Sequence, residues 1–137
     1  MKPRQNRAND NDRYEAAAGV RAALRLFDRR SEEITRRHHL TARSYELLLM
    51  IKTGRDAPGR TTPDELERRL QLAKSTVAEL LQRNEEQGLI TRELHPNRRS
   101  AIRIGLTRKG ARRLEAAFTE LGSERDRLAE SLGHPLN

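Results

Sequence analysis

The stretch "LHPNRRSAIRIGLT", residues 94–107, sets Arg98 and Arg99 side by side where Pro96 and Asn97 supply the chemistry of a tight turn. Planar guanidinia in such a place suit phosphate oxygens and the acceptor edges of guanine better than an ammonium does. The surrounding charge points the same way. From Ile90 to Arg113 the cations Arg92, Arg98, Arg99, Arg103, Arg108, Lys109, Arg112 and Arg113 face a single acid, Glu93, for a net of +7 within a chain of net +8. A solvated helical face mixes signs, so a one-signed block of this size favours a polyanion as partner. Arginine supplies 24 of the 28 basic residues, a bias that genomic base composition also produces.

No comparable set of residues suggests catalysis. His38 and His39 are adjacent at a helix end and point in different directions, His95 and His134 are distant, and no carboxylate lies at metal-ligand spacing, so no metal is expected. GxSxG, phosphate-loop, GxGxxG and HExxH motifs are absent, and no Ser-His-Asp arrangement suggests itself. The expectation is a protein that is not an enzyme and needs no cofactor. The lack of cysteine excludes a disulfide framework, a thiolate metal site and cysteine-based peroxide sensing. No apolar run approaches the roughly 18 residues of a membrane span, and "MKPRQNRANDND" has no apolar core of the kind a signal peptide carries. Residues 1–12 therefore read as a disordered polar tail, residues 13–137 as one domain, and the location as cytoplasmic.

The elements that must position the basic block follow from periodicity. Val20, Leu24, Phe27 and Ile34 recur at helical spacing over about 13–37. "LTARSYELLLMIKTG" predicts a second helix, capped by Thr41 and closed by Gly54, apolar nearly all round and hence buried. "RDAPGR" reads as a loop. Thr62, Pro63 and Glu65 then supply an N-cap, a first helical residue and a capping-box acid, and the helix they start should end near Leu70. A further helix over about 74–87 puts Val77, Leu80 and Leu81 on one face, with Ala73 as a poor N-cap and Gly88 as a left-handed terminator. Two short helices joined by a tight turn describe a helix-turn-helix.

After Gly88 the period falls to two. Ile90 and Leu94 alternate with Arg92, and Ile102, Ile104 and Leu106 alternate with Arg103 and Gly105, which predicts a β-hairpin with those apolar residues inward. Thr107 caps a last helix over about 108–132, in which Leu114, Phe118, Leu121, Leu128 and Leu132 keep heptad spacing and "LGS" at 121–123 marks a break. With 34% apolar and 3% aromatic residues the chain is poor in core, and the outer helices would gain cover from a second copy.

The order and spacing of these five elements resemble the MarR family of winged-helix transcription regulators over roughly residues 13–132. "LQLAKSTVAELLQRNEEQGLI" followed by "LTRKG" is similar to the family's recognition helix, its Gly-Leu-Ile exit and the Leu-Thr-x-x-Gly that closes the wing. The resemblance implies a mainly α fold with a small β-hairpin, its winged helix-turn-helix over about 41–107. Helices over about 13–37 and 108–132 would form a dimerisation region that uses Val20, Leu24, Leu114, Phe118, Leu121, Leu128 and Leu132. It implies a homodimer that binds a pseudo-palindromic double-stranded DNA operator, most often as a repressor, with no membrane partner.

Carried over by position, Lys74, Ser75, Thr76, Glu79, Gln82 and Arg83 face DNA from the recognition helix, while Arg98, Arg99, Ser100 and Arg103 do so from the wing. Glu79 and Arg83, four apart, would equally pair with each other. A small-molecule effector, common in the family, would be lined by Phe27, Tyr45 and Met50, which core packing explains as well. The family's wing arginine falls six residues before the closing leucine, where this chain has Ser100, and its acidic residue eight before, where this chain has Arg98. A basic architectural or RNA-binding protein without sequence preference is the competing reading, and a winged helix used for protein contact is a third.

Either one of Arg98 and Arg99 enters a narrow A·T-rich minor groove or both only line phosphates. Replacing both with alanine and measuring affinity against salt separates the two. Minor-groove entry predicts a changed sequence preference, whereas a smaller salt slope with unchanged preference assigns both to phosphates.

Overall fold

The computed structural model describes residues 3–133. In chain order it contains α1 (Pro3–Arg37), α2 (Ala42–Lys52), β1 (Arg60–Thr61), α3 (Pro63–Leu70), α4 (Lys74–Glu86), β2 (Ile90–Leu94), β3 (Ile102–Leu106), α5 (Arg108–Glu120) and α6 (Gly122–Gly133). The described residues form two compact units: 35–119, and 3–34 with 120–133.

The unit of residues 35–119 is built on leucine. Leu47, Leu48 and Ile51 of α2, Leu66 of α3, Val77, Leu80 and Leu81 of α4, and Leu89, Ile90, Ile104 and Leu114 form one buried cluster. Side-chain caps set its helix starts. Thr41 Oγ1 accepts the Ser44 amide at 3.0 Å, Thr62 Oγ1 accepts the Glu65 amide at 3.3 Å, and Thr107 Oγ1 accepts the Gly110 amide at 3.0 Å. These are the three caps expected from the sequence, and α4 starts at Ala73 without one, also as expected. Gly88, at φ +73°, ends α4 in the left-handed conformation that glycine takes without strain.

Gly54 follows the end of α2 as expected, its amide donating to Ile51 O at 3.0 Å, while the Thr53 amide donates to Leu49 O at 3.1 Å. Arg69 adds to this end, its Nη1 donating to Met50 O at 3.0 Å and to Thr53 O at 3.3 Å. Gly54 is also where the chain passes close to the backbone of Arg60, so that an added Cβ would overlap the Arg60 carbonyl.

The hairpin is the wing, and it is one strand richer than expected. β1, two residues inside what reads as a loop, pairs antiparallel with β3 (Arg60↔Gly105, Thr61↔Ile104), giving the order β1-β3-β2. A strand so short has no period to detect, and Pro58 and Gly59 conceal it. β2 and β3 pair from Ile90↔Leu106 to Leu94↔Ile102. Ile90 and Ile104 face the core as predicted, and Ile102 and Leu106 pack against its edge. Leu94 does not: its residue is 81% exposed, because the outer end of β2 runs beyond the core.

The wing closes on the exit of α4. Thr107 Oγ1 donates to Gly88 O at 2.6 Å and the Thr107 amide to Leu89 O at 3.1 Å. Gly110 lies so close to Leu89 that an added Cβ would overlap its carbonyl oxygen, which is the physical reason for glycine in "LTRKG".

In the other unit, α1 begins at Pro3, so the polar stretch read as a disordered tail is helical from that residue on. Proline is tolerated in a first turn, and polarity by itself does not oppose a helix. The expected break near 121–123 is the junction of α5 and α6. Glu124 of α6, largely buried, takes Arg30 at 3.5 Å and Arg127 at 3.1 Å. Among residues expected to serve a dimer, Leu24 and Phe118 are exposed. Leu114 belongs instead to the core of residues 35–119, and Leu121 is buried within the chain, because heptad spacing does not tell a seam between chains from a core within one. Val20, Leu128 and Leu132 are half-buried.

Gly110→Ala should lower stability by about 1–3 kcal/mol in urea unfolding, since α5 would have to move away from Leu89.

Candidate nucleic-acid interface

α4 presents two faces. Val77, Leu80, Leu81 and Asn84 are buried, whereas Lys74, Ser75, Glu79, Gln82 and Arg83 are exposed and Thr76 is half-buried. Five of the six residues expected to face DNA are therefore open to solvent. Gln82 Nε2 donates to Glu86 at 3.3 Å. Glu79 and Arg83 do not pair, and among the described residues neither side chain has a partner. With no cap at Ala73, the first amides of α4 are also free to meet an anion beside Lys74.

The seating of α4 depends on a residue that the sequence reading passed over. Asn84 is fully buried, and its Nδ2 donates to Leu80 O at 2.8 Å and to Ser44 Oγ at 3.2 Å. Thr41 Oγ1 donates to the same Ser44 Oγ at 3.0 Å. A polar chain thus joins the start of α2 to the middle of α4, where apolar packing alone would leave the helix freer to slide. Asparagine among the apolar positions 77, 80, 81 and 84 was the available signal.

Arg98, Arg99 and Ser100 are all exposed at the wing tip, as expected. The tip is closed by hydrogen bonds from the His95 amide to Ala101 O at 2.9 Å and from the Ala101 amide to Arg98 O at 3.2 Å. Arg103 does not project with them. Its Nε donates to Asp56 Oδ2 at 2.8 Å, and its side chain is only 18% exposed. Position in the wing suggests a DNA-facing Arg103, but neither position nor the alternation of β3 reveals an acid 47 residues earlier.

Asp56 holds a second partner, His95 Nε2, at 2.9 Å from Oδ1. The His95 Nδ1 accepts the amides of Asn97 and Arg98, each at 3.1 Å. In this pattern Nε2 donates to Asp56 while Nδ1 accepts from the tip. The carboxyl of Asp56 is held below its ordinary value of 3.8, chiefly by the His95 hydrogen bond and further by Arg103, with partial burial opposing them.

The residues expected to line an effector pocket are not gathered in either unit. Tyr45 and Met50 pack against the core of residues 35–119. Phe27 belongs to the other unit, where it lines a slight groove with Ala23, Leu26 and Leu128. An apolar groove of about 560 Å³ lies between α2 and α5, bounded by Leu49, Ala111, Leu114 and Phe118. Among the described residues no cluster of histidines and acids could hold a metal ion, and no helix is long and apolar enough to cross a membrane.

A helix-turn-helix whose second helix is exposed along a polar face, followed by a three-stranded sheet ending in a basic hairpin, defines a winged-helix protein. Residues 38–99 match the model of the MarR family. A mutant of E. coli MarR complexed with operator DNA is 24% identical, over 82% of this chain and 79% of that one, with a TM-score of 0.70. AbsC, a MarR family transcriptional regulator from Streptomyces coelicolor, is 21% identical over 81% and 74%, with a TM-score of 0.71. Another MarR family transcription regulator is 22% identical over 90% and 79%, with a TM-score of 0.78. At these identities the likeness establishes the fold. No curated protein matches the chain significantly. With residues 38–99 matching the family model and the whole sharing the fold of solved MarR family structures, the chain is a winged-helix protein similar to the MarR family.

Asp56→Asn should cost about 1–2 kcal/mol at neutral pH by weakening both arms of the clasp. The sign follows from the lowered value: the contribution is complete above 3.8 and is lost as the pH falls through the native value below it. Urea unfolding of wild type and variant should therefore converge in acid.

Proposed function

We propose that this chain is a sequence-specific double-stranded DNA-binding transcription regulator, acting in the cytoplasm as a homodimer and most often as a repressor. The observation that carries the reading is an open groove of about 370 Å³ whose lining includes Lys74, at the start of α4, and Arg98, Arg99 and Ser100 of the wing tip, with Asp64 as the single acid among the lining residues. A polyanion in this groove would meet an uncapped helix start from one element and two guanidinia from another, neither of which has an internal partner. The operator-bound E. coli relative supports DNA as that polyanion.

In this reading α4 enters the major groove. Gln82 and Arg83 supply bidentate donors for adenine and guanine edges, Lys74, Ser75 and Thr76 approach phosphates near the helix start, and the wing approaches the minor groove. Two-fold symmetry requires half-sites about one helical turn apart. The exposed Leu24, Leu26 and Phe118 support a second copy as cover for apolar surface. Release by a small molecule is the last part of the reading, and the groove between α2 and α5 has the size of a ligand pocket.

A duplex competition assay tests the proposal. Scrambling the preferred duplex should abolish tight binding, and Arg83→Ala should weaken binding to the preferred duplex by about tenfold to a hundredfold while leaving the scrambled one unaffected. Equal binding to both duplexes would overturn sequence-specific regulation in favour of an architectural or RNA-binding role.

A further inference from the structure

A second cavity, of about 290 Å³, is lined by residues of α3 and of the loop that follows α2, and shares Arg98 with the groove that Lys74 lines. Its lining includes Arg55, Arg68, Arg69 and Arg98, against the two carboxylates of Asp56 and Glu65. The carboxylates are already engaged. Asp56 is taken by His95 and Arg103, one on each oxygen. Glu65 accepts the Arg55 amide at 3.1 Å and the Thr61 hydroxyl at 2.7 Å, and pairs with Arg69 at 3.7 Å. What remains is three guanidinia, of Arg55, Arg68 and Arg98, with no side-chain partner among the described residues.

Each of the three stands on backbone that is itself fixed. The Arg55 amide is bound to Glu65 at 3.1 Å, the Arg98 amide is bound to His95 Nδ1 at 3.1 Å, and Arg68 lies within α3. Three fixed roots with free cationic ends around one concavity make a receptor for a compact multiply charged anion. The cavity is too large for a lone carboxylate and has no aromatic wall for a base or phenol.

We infer that this cavity binds the phosphoryl group of a small free phosphoanion, and that the bound anion competes with DNA for Arg98. The second clause rests on the proposed function; the first does not. Arg98 borders both this cavity and the groove it shares with Lys74. A phosphate held in the cavity draws the Arg98 guanidinium and its charge toward α3, so occupation of the cavity weakens the hold of the wing on a phosphate in the groove. A DNA backbone phosphate is the other source of the same chemistry.

Pyrophosphate is the probe, titrated calorimetrically into the full chain at constant ionic strength maintained with chloride. The comparison is with Arg55→Ala/Arg68→Ala, and with Arg55→Gln/Arg68→Gln in case the first fails to fold; neither residue belongs to the proposed DNA contacts. Wild type should bind pyrophosphate, and the double variant at least about tenfold more weakly, as expected for losing two charge-assisted partners. Saturating pyrophosphate should weaken wild-type binding to the preferred duplex several-fold and leave the double variant's unchanged.

No pyrophosphate binding by wild type, or equal binding by the double variant, overturns the site. Weakened DNA binding by the double variant together with no pyrophosphate binding overturns the free ligand and assigns the cavity to a backbone phosphate. Pyrophosphate binding that leaves DNA affinity unchanged overturns the competition. Should wild type bind pyrophosphate through Arg55 and Arg68 yet show no duplex preference, the anion site stands and the proposed function fails.

Discussion

The wing depends on one carboxylate. Asp56 lies in the loop after α2, and through its two oxygens it takes His95 at the outer end of β2 and Arg103 in the middle of β3. A two-stranded ribbon is marginal in water and has little core of its own; here β2 is exposed from Thr91 onward. The clasp gives such a ribbon a fixed attachment far from its base. It also shapes the turn, because the His95 ring that donates to Asp56 accepts two amides of the tip, from Asn97 and Arg98. A single acid thus governs both where the wing stands and how its tip is folded.

The same economy separates structural from free charge. Arg69 is spent on the end of α2 and on Glu65, Arg92 on Glu85 at 3.0 Å, Arg60 on Glu93 at 3.6 Å and Arg103 on Asp56. The exposed ion pairs among these contribute little to stability, but they remove cations from the set that can bind a polyanion. The net +7 of residues 90–113 therefore overstates the charge available to a partner and understates its focus. Arg83, Arg98 and Arg99 keep free guanidinia, and two of the three stand together at the tip.

What was legible in the sequence was local. Thr62 and Pro63 announce the start of α3, Gly88 the end of α4, and Thr107 the start of α5, because capping and left-handed turns are decided by residues within a few positions of one another; the capping-box role expected of Glu65 does not hold, since its carboxylate takes the Arg55 amide and the Thr61 hydroxyl. What was not legible depended on distant partners. β1 exists only because β3 pairs with it, Leu114 is core only because the α2 leucines reach it, and Arg103 is unavailable only because Asp56 is there. Leu94 failed for a related reason: alternation tells which way a side chain points and not how far the sheet it points from is covered.

Ser100, which stands where the resemblance leads one to expect a wing arginine, has φ +62°, a left-handed conformation that non-glycine residues adopt at a cost. The Ala101 amide returns to Arg98 O, so residues 98–101 form a tight turn with Arg99 and Ser100 at its two central places and the positive φ at the second. Ser100 carries that cost itself, whereas Arg98 and Arg99 precede it in the turn and neither has a positive φ. The His95 ring fixes the near end of this turn through the Arg98 amide. Once His95 is anchored on Asp56, the turn is set, and it leaves Arg98 and Arg99 exposed ahead of the residue that bears the positive φ.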